Sequence, residues 1–326
     1  MAEKIVKTKE KNQRRKTKSQ DFFDCSEGAY SSFALIKNSG VLPFKKPLSV
    51  AVVECVENRQ IKTAKVLFDA ISSFIISPFN AFVTHSFATN SQKIDVKTTF
   101  KAVKKSQTVI LYIGAEVATH LDEIVALAKI IKKSSTLILC FHKCNKLYSH
   151  SLLSFADAVF VGFNSSKEEG KALFNIIWGK QTPYAKICMN NSEPLEYVPL
   201  CDKIKNQYDD YGVGLSYINL SYTNARLSIY NAKVGEKVVA KVDISNYSSL
   251  SSFEIPQLYI ARSDGSMQLH SISPVRVPSL STVTATFEID TAQIDFGNET
   301  DYKSQVFVCV GKSSKDTVKI PLNIIF

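Results

Sequence analysis

The feature that most constrains this chain is a change of hydrophobic period close to residue 211. Before that point, short apolar runs alternate with stretches whose apolar residues recur at helical spacing. After it, apolar and polar residues alternate one for one. Residues i, i+3 and i+4 share a helix face, whereas i, i+2 and i+4 share a strand face, so the two halves need different architectures. The pattern predicts an α/β unit followed by an all-β unit. At 326 residues the chain is long enough for two domains with a core each.

In the first half, Leu48-Ser-Val-Ala-Val-Val53 is an apolar, β-branched run suited to a strand buried on both faces. Ile61, Ala64, Val66, Leu67, Phe68 and Ile71 then recur at helical spacing between Arg59 and Phe74. Further strands are expected at Ala81–Thr84, Thr108–Ile113, Thr136–Phe141 and Asp157–Val161, with helices near 96–106 and 119–133. The second of these carries Ile124, Leu127, Ala128 and Ile131 on one face. Such alternation predicts a mostly parallel sheet covered by helices. A last helix carries Leu173, Phe174, Ile177 and Trp178, with Ser166 and Glu169 spaced as a capping box and Gly179 and Pro183 ending it.

From Asn224 onward the period is two. Thr282-Val-Thr-Ala-Thr-Phe-Glu-Ile289 alternates without a break, Val306, Val308 and Val310 share one face, and Gln257-Leu-Tyr-Ile260 gives another strand centre. Turn-rich segments at Ser245–Ser252 and Ser263–Ser266 separate them, and about seven short strands in a hundred residues predict a β-sandwich.

Several motifs carry a family resemblance. Tyr211-Gly-Val-Gly-Leu-Ser-Tyr217, where the period changes, resembles the Y-G-x-G-L-S-Y junction of family 3 glycoside hydrolases. Ala34-Leu-Ile-Lys-Asn-Ser-Gly-Val-Leu-Pro43 resembles the stretch leading into that family's second domain. Ala156-Asp-Ala-Val159 through Glu169-Gly170 and Trp178-Gly179 resembles its late helix. Pro256-Gln-Leu-Tyr259 and Val308-Cys-Val-Gly-Lys-Ser-Ser-Lys-Asp316 are similar to strands of its terminal module. The resemblance covers most of residues 27–323 and implies an α/β domain followed by a fibronectin-III-like sandwich. The expected division is a basic tail at 1–20, a lead-in at 21–47, the α/β domain at 48–200, a junction at 201–223 and the sandwich at 224–326. Tyr211, Gly212, Gly214, Leu215, Ser216 and Tyr217 are expected to be structural.

The departures from the family bear on chemistry. The family's nucleophilic aspartate comes from a (β/α)8 barrel of roughly 250 residues, for which the segment before Leu48 leaves no room. Retaining hydrolysis needs two carboxyl groups about 5–5.5 Å apart. Gly114-Ala-Glu-Val-Ala-Thr-His-Leu-Asp122 passes almost directly into a helix, without the family's E-G-x-D-R and L-x-L-P elements. Glu116 is the one catalytic candidate, and a charge stabilised at a helix start is the reading ranked above it. No cofactor is expected. Gly212-Val-Gly214 lacks the strand and third glycine of a dinucleotide fingerprint.

No metal is expected either. Cys140-Phe-His-Lys-Cys144, with His150 beyond it, offers two possible zinc ligands at a fitting spacing, but no second clean pair follows. The expectation is a buried Cys140 thiol beside an exposed loop histidine, and His85 and His120 show no sequence partners. The seven cysteines are odd in number and several lie in apolar runs, which suits reduced thiols in a cytoplasmic protein. No apolar run reaches the ~18 residues of a membrane span, and no secretory signal follows the basic start.

The formal net charge of +10 is largely a property of the tail, where residues 1–18 hold eight basic side chains against Glu3 and Glu10. A solvated extension is the first reading; an anchor for an anionic partner is the second. Three functional readings follow. The first is a degenerate, non-catalytic scaffold or carbohydrate-related binding protein. The second is the accessory half of a split β-glucosidase or β-xylosidase whose barrel is a separate chain. The third is an interaction protein held to an anionic partner through residues 1–18.

Overall fold

The computed structural model describes residues 33–46, 48–56, 63–75, 77–86, 94–114, 120–142, 146–147, 150–163, 167–190, 195–199, 210–263, 265–294 and 303–326. Strands and helices are numbered in chain order. Six strands form one open sheet: β1 (Phe33–Asn38), β2 (Val50–Val56), β3 (Ala81–Ser86), β4 (Thr108–Gly114), β5 (Thr136–His142) and β7 (Ala158–Gly162), in the order β1-β7-β5-β4-β2-β3. All its pairings are parallel except that of β1 with β7. Every residue of β2, β4 and β7 is buried, as two covered faces require.

Helices cover both faces. α1 (Thr63–Phe74) and α5 (Lys167–Ile177) pack on one, with Ala64, Leu67, Ile71, Leu173 and Phe174 against Val52, Ile110, Ile138 and Phe160. α2 (Val96–Val103), α3 (Leu121–Ile131) and α4 (His150–Phe155) cover the other, with Val103, Leu127 and Leu152 over Val53, Leu111 and Leu139. Each of these Val, Leu, Ile and Phe side chains contributes about 1.5–3 kcal/mol on leaving water. The face expected for α3, with Ile124, Leu127, Ala128 and Ile131, is the buried one. α2 starts at Asp95, whose carboxylate accepts from the Thr98 amide, and not from a residue inside the apolar pattern.

The structure adds elements that periodicity missed. β1 is an antiparallel edge strand made from the lead-in segment. β6 (Lys146–Leu147), β8 (Ile187–Asn190), β9 (Leu195–Pro199) and β10 (Asp210–Val213) form a second, antiparallel sheet. The Ser166 half of the expected capping box lies outside the described residues.

Ten strands follow. β11 (Leu220–Leu227), β13 (Lys237–Asn246) and β18 (Ser281–Asp290) form one sheet; β12 (Asn231–Lys233), β15 (Gln257–Ala261), β16 (Met267–Ile272), β19 (Lys303–Ser313) and β20 (Asp316–Ile325) form another. β14 (Ser252–Glu254) pairs with β17 (Val275–Val277). The two larger sheets share one core, in which Val238, Ala240, Val242 and Ile244 of β13 meet Leu258, Val308, Val310 and Leu322. The alternation of Thr282–Ile289 appears as Ala285, Phe287 and Ile289 inward and Thr284, Thr286 and Glu288 outward. A mostly parallel, helix-covered sheet thus precedes a β-rich region whose strands pair antiparallel except β12 with β20. Among the described residues no helix is long and apolar enough to cross a membrane.

Candidate functional site at the carboxyl edge of the sheet

The order of the parallel strands creates a switch point. From β2 the chain passes through α1 to β3 on one side, then returns through α2 to β4 on the other side of β2. The helices after β2 and β4 lie on opposite faces, so the carboxyl ends of those two strands mark the switch point of the sheet. Ligands of open α/β sheets bind at such points.

Polar side chains converge there. Glu54 of β2, Tyr112 of β4 and Cys140 of β5 are successive register partners on the face beneath α1 and α5. His142, two residues beyond Cys140, stacks on Tyr112 with ring centroids 5.3 Å apart at 29°. Thr63 opens α1 and Glu169 stands in the first turn of α5, both near enough to act electrostatically on the Tyr112 hydroxyl. The two helices approach closely, since a Cβ on Gly170 would lie 2.6 Å from the Thr63 carbonyl oxygen. All six side chains are buried, the most exposed being Glu54 at 5%.

Burial sets the electrostatics of the set. It holds the Tyr112 hydroxyl well above the ordinary phenol range, reinforced by Cys140, Glu169 and Glu54 and opposed by the neighbouring Thr63 hydroxyl. Cys55, behind Glu54, has its thiol pushed up to about 12 by burial and then by the Glu54 charge. Both groups are neutral at physiological pH. Two carboxyl groups, an imidazole and two hydroxyls form a mixed donor and acceptor set.

Sequence reasoning missed this set because its members are scattered from Glu54 to Glu169. The legible signal was a charged residue inside the apolar run of β2. His142 corrects an expectation: it is fully buried as the last residue of β5, not exposed in a loop. The strand runs one residue past the apolar pattern, and strand parity turns His142 to the face of Cys140. Cys55, Cys140, Cys188 and Cys309 are buried and form no disulfide with a described residue.

Glu116, Cys144 and the side chains of His85 and His150 lie outside the described residues. The backbone of His85 is the register partner of Cys55, and His120 is buried just before α3. Among the described residues no group of three His, Cys, Asp or Glu side chains is arranged to hold a metal.

The residues of the junction meet at a second place. Tyr211 and Val213 in β10 pair with Cys188 and Ile187 of β8, while Tyr211 exchanges backbone and hydroxyl hydrogen bonds with Ser314 at 3.2 and 3.3 Å. Gly212 has φ of +75°, and a Cβ there would lie 2.2 Å from the Gln257 amide nitrogen. The Gly214 carbonyl accepts from the Lys186 ammonium at 2.9 Å, and Lys186 stands 3.9 Å from Glu254, both side chains buried. The Leu215 amide donates to Leu35 at 2.7 Å, and Ser216 and the Tyr217 amide bond the Thr182 hydroxyl at 2.7 and 2.9 Å. Tyr184 packs on Phe253 at 5.1 Å. These contacts join the parallel-sheet region to the β-rich region.

No family profile matches the chain. Solved structures do. A β-glucosidase from Listeria innocua in complex with isofagomine is 16% identical with a TM-score of 0.69, over 92% of this chain and 49% of that one. The chain has the fold of half a β-glucosidase. The GH3 β-glucosidase of Bifidobacterium adolescentis is 17% identical, with a TM-score of 0.68 over 92% of this chain and 52% of its own. The β-D-glucoside glucohydrolase of Trichoderma reesei is 18% identical, with a TM-score of 0.66 over 91% and 54%. The chain therefore spans about half the length of the enzymes it resembles.

Proposed function

We propose that this chain is a degenerate, family 3 glycoside hydrolase-like protein that retains the non-barrel domains and works as a non-catalytic scaffold binding carbohydrate. The single observation that carries the reading is the asymmetry of the likeness: 92% of this chain against 49% of the Listeria β-glucosidase. In this reading, residues 48–200 are the α/β domain, 201–223 the junction and 224–326 a fibronectin-III-like module. The two sheets around one core support the last assignment. A reducing, cytoplasmic setting is supported by the burial of four cysteine thiols in the cores of the described residues.

The polar set at the switch point is where a hydroxyl-rich ligand would be held. Glu54 and Glu169 supply acceptors, Tyr112 and Thr63 supply hydroxyls, and the Tyr112–His142 stack supplies an apolar plate. Exclusion of water strengthens each such hydrogen bond.

Two measurements test the reading. The purified chain should not turn over chromogenic β-glucosides or β-xylosides; turnover abolished by Glu116→Gln would overturn the non-catalytic assignment. Turnover only after adding a barrel-bearing protein from the same extract would replace it with the split-enzyme reading. Thermal unfolding with glucose, xylose and their β-linked oligomers should show stabilisation, about 2.7 kcal/mol at a hundredfold excess over Kd. Loss of that effect in Glu54→Gln is expected; its persistence would remove the switch-point site.

A further inference from the structure

The ends of α1 and α5 opposite the carboxyl edge gather four aromatic rings. Phe74 lies 5.6 Å from Phe174 and 5.8 Å from Trp178, Phe174 stacks on Trp178 at 4.8 Å, and Phe44 meets Trp178 edge-on at 5.1 Å. Phe74 is 52% exposed. Its ring is the open end of this cluster, and a ring of that size is a costly one to leave in water. The Lys180 ammonium stands over Phe74 and Phe174, 4.8 and 4.9 Å from their centroids. Lys45 and Lys46, both exposed, directly follow Phe44. None of the three lysines forms an ion pair with a described residue.

An exposed aromatic face rimmed by unpaired cations suits an acidic segment with apolar side chains. The chain carries one. Residues 19–32 contain Asp21, Asp24 and Glu27 and no lysine or arginine, with Phe22 and Phe23 adjacent between the two aspartates. We propose that Asp21-Phe22-Phe23-Asp24 is the occupant of the Phe74–Trp178 face.

The reach is sufficient. Nine positions separate Asp24 from Phe33, about 30 Å of extended chain. β1 covers about 20 Å. It runs from the carboxyl edge, where Phe33 is the partner of Gly162, to the opposite rim, where Asn38 is the partner of Ala158. Phe44, six residues on, already touches Trp178. The tether is thus longer than the strand it must pass. In the docked state the Phe22 and Phe23 rings cover Phe74 and Trp178, and the aspartates meet Lys180 and the Lys45–Lys46 pair in charge-assisted contacts. The proposal is independent of the carbohydrate reading.

Trp178 is the single tryptophan of the chain, so its fluorescence reports this face alone. In the full chain, Phe22→Ser with Phe23→Ser should shift Trp178 emission to the red and raise its acrylamide quenching constant roughly twofold, as the cover is lost. Lys45→Glu, Lys46→Glu and Lys180→Glu together should have the same effect, and combining those three with Asp21→Lys and Asp24→Lys should restore the wild-type value. Unchanged quenching in the Phe22, Phe23 variant overturns the proposal, as does failure of the reversed charges to restore it. Quenching in the wild type that falls with rising protein concentration would assign the face to a second copy and overturn it equally.

Discussion

At Gly212 the backbone has φ of +75° and the space for a Cβ is filled by the Gln257 amide at 2.2 Å. Left-handed geometry costs an L-residue about 1–2 kcal/mol before any clash, so Gly212→Ala should destabilise the protein by at least roughly 2 kcal/mol in urea unfolding. A cost below half of that would show that Gln257 moves away freely. The buried Lys186–Glu254 pair is a sharper case. Removing one partner leaves the other charge unpaired in a dry interface, so Glu254→Leu should cost about 3–5 kcal/mol. The double change Lys186→Met with Glu254→Leu should cost less than the single one, because no charge remains to be solvated. A double variant worse than either single one would contradict this account. Neither glycine nor ion pair is interpretable from residue type alone; both depend on what the other domain places opposite.

Strands and helices differ in how much of them the amino-acid pattern revealed. The apolar stripe of α3 and the alternation of β18 were legible because each is a local period. β1 was not, since its pairing partner β7 lies more than a hundred residues away and its own six residues carry no turn signals. β5 ran one residue beyond its apolar pattern and so buried His142. The carboxyl edge shows what such burial does to titration. Cys55, with an ordinary thiol value of 9.0, is pushed up to about 12, and burial raises Tyr217, Tyr222 and Tyr259 further. Groups raised in this way keep their protons in the folded state after the unfolded chain has lost them. Their contribution to stability is therefore complete below about pH 9 and is lost as pH rises through 12. Urea midpoints measured from pH 8 to 11 should fall steadily, and Cys55→Ala should make the fall shallower. A flat alkaline limb would contradict the burial of these groups. Native Cys55 should also resist thiol reagents that label it promptly in urea.

Across the whole molecule, the contacts around residues 182–186, 210–217, 254–259 and 312–316 tie the parallel-sheet region to the β-rich region. Calorimetry should therefore show one unfolding transition for both, and Glu254→Leu should separate it into two. Two well-resolved transitions in the unaltered chain would mean the junction is weaker than its hydrogen bonds suggest. The division into an α/β and an all-β part was determined by the sequence itself, because hydrophobic period is a local property that any window of the chain displays. The buried thiols and the family-like motifs were open to inspection for the same reason. Only the tertiary structure decided that Glu54, Tyr112, His142, Thr63 and Glu169 share one buried edge, that Phe74 and Trp178 share one open face, and that Gly212 lies against Gln257. Those groupings depend on strand order and helix crossing, which are set by packing summed over the whole core and which no short stretch of residues encodes.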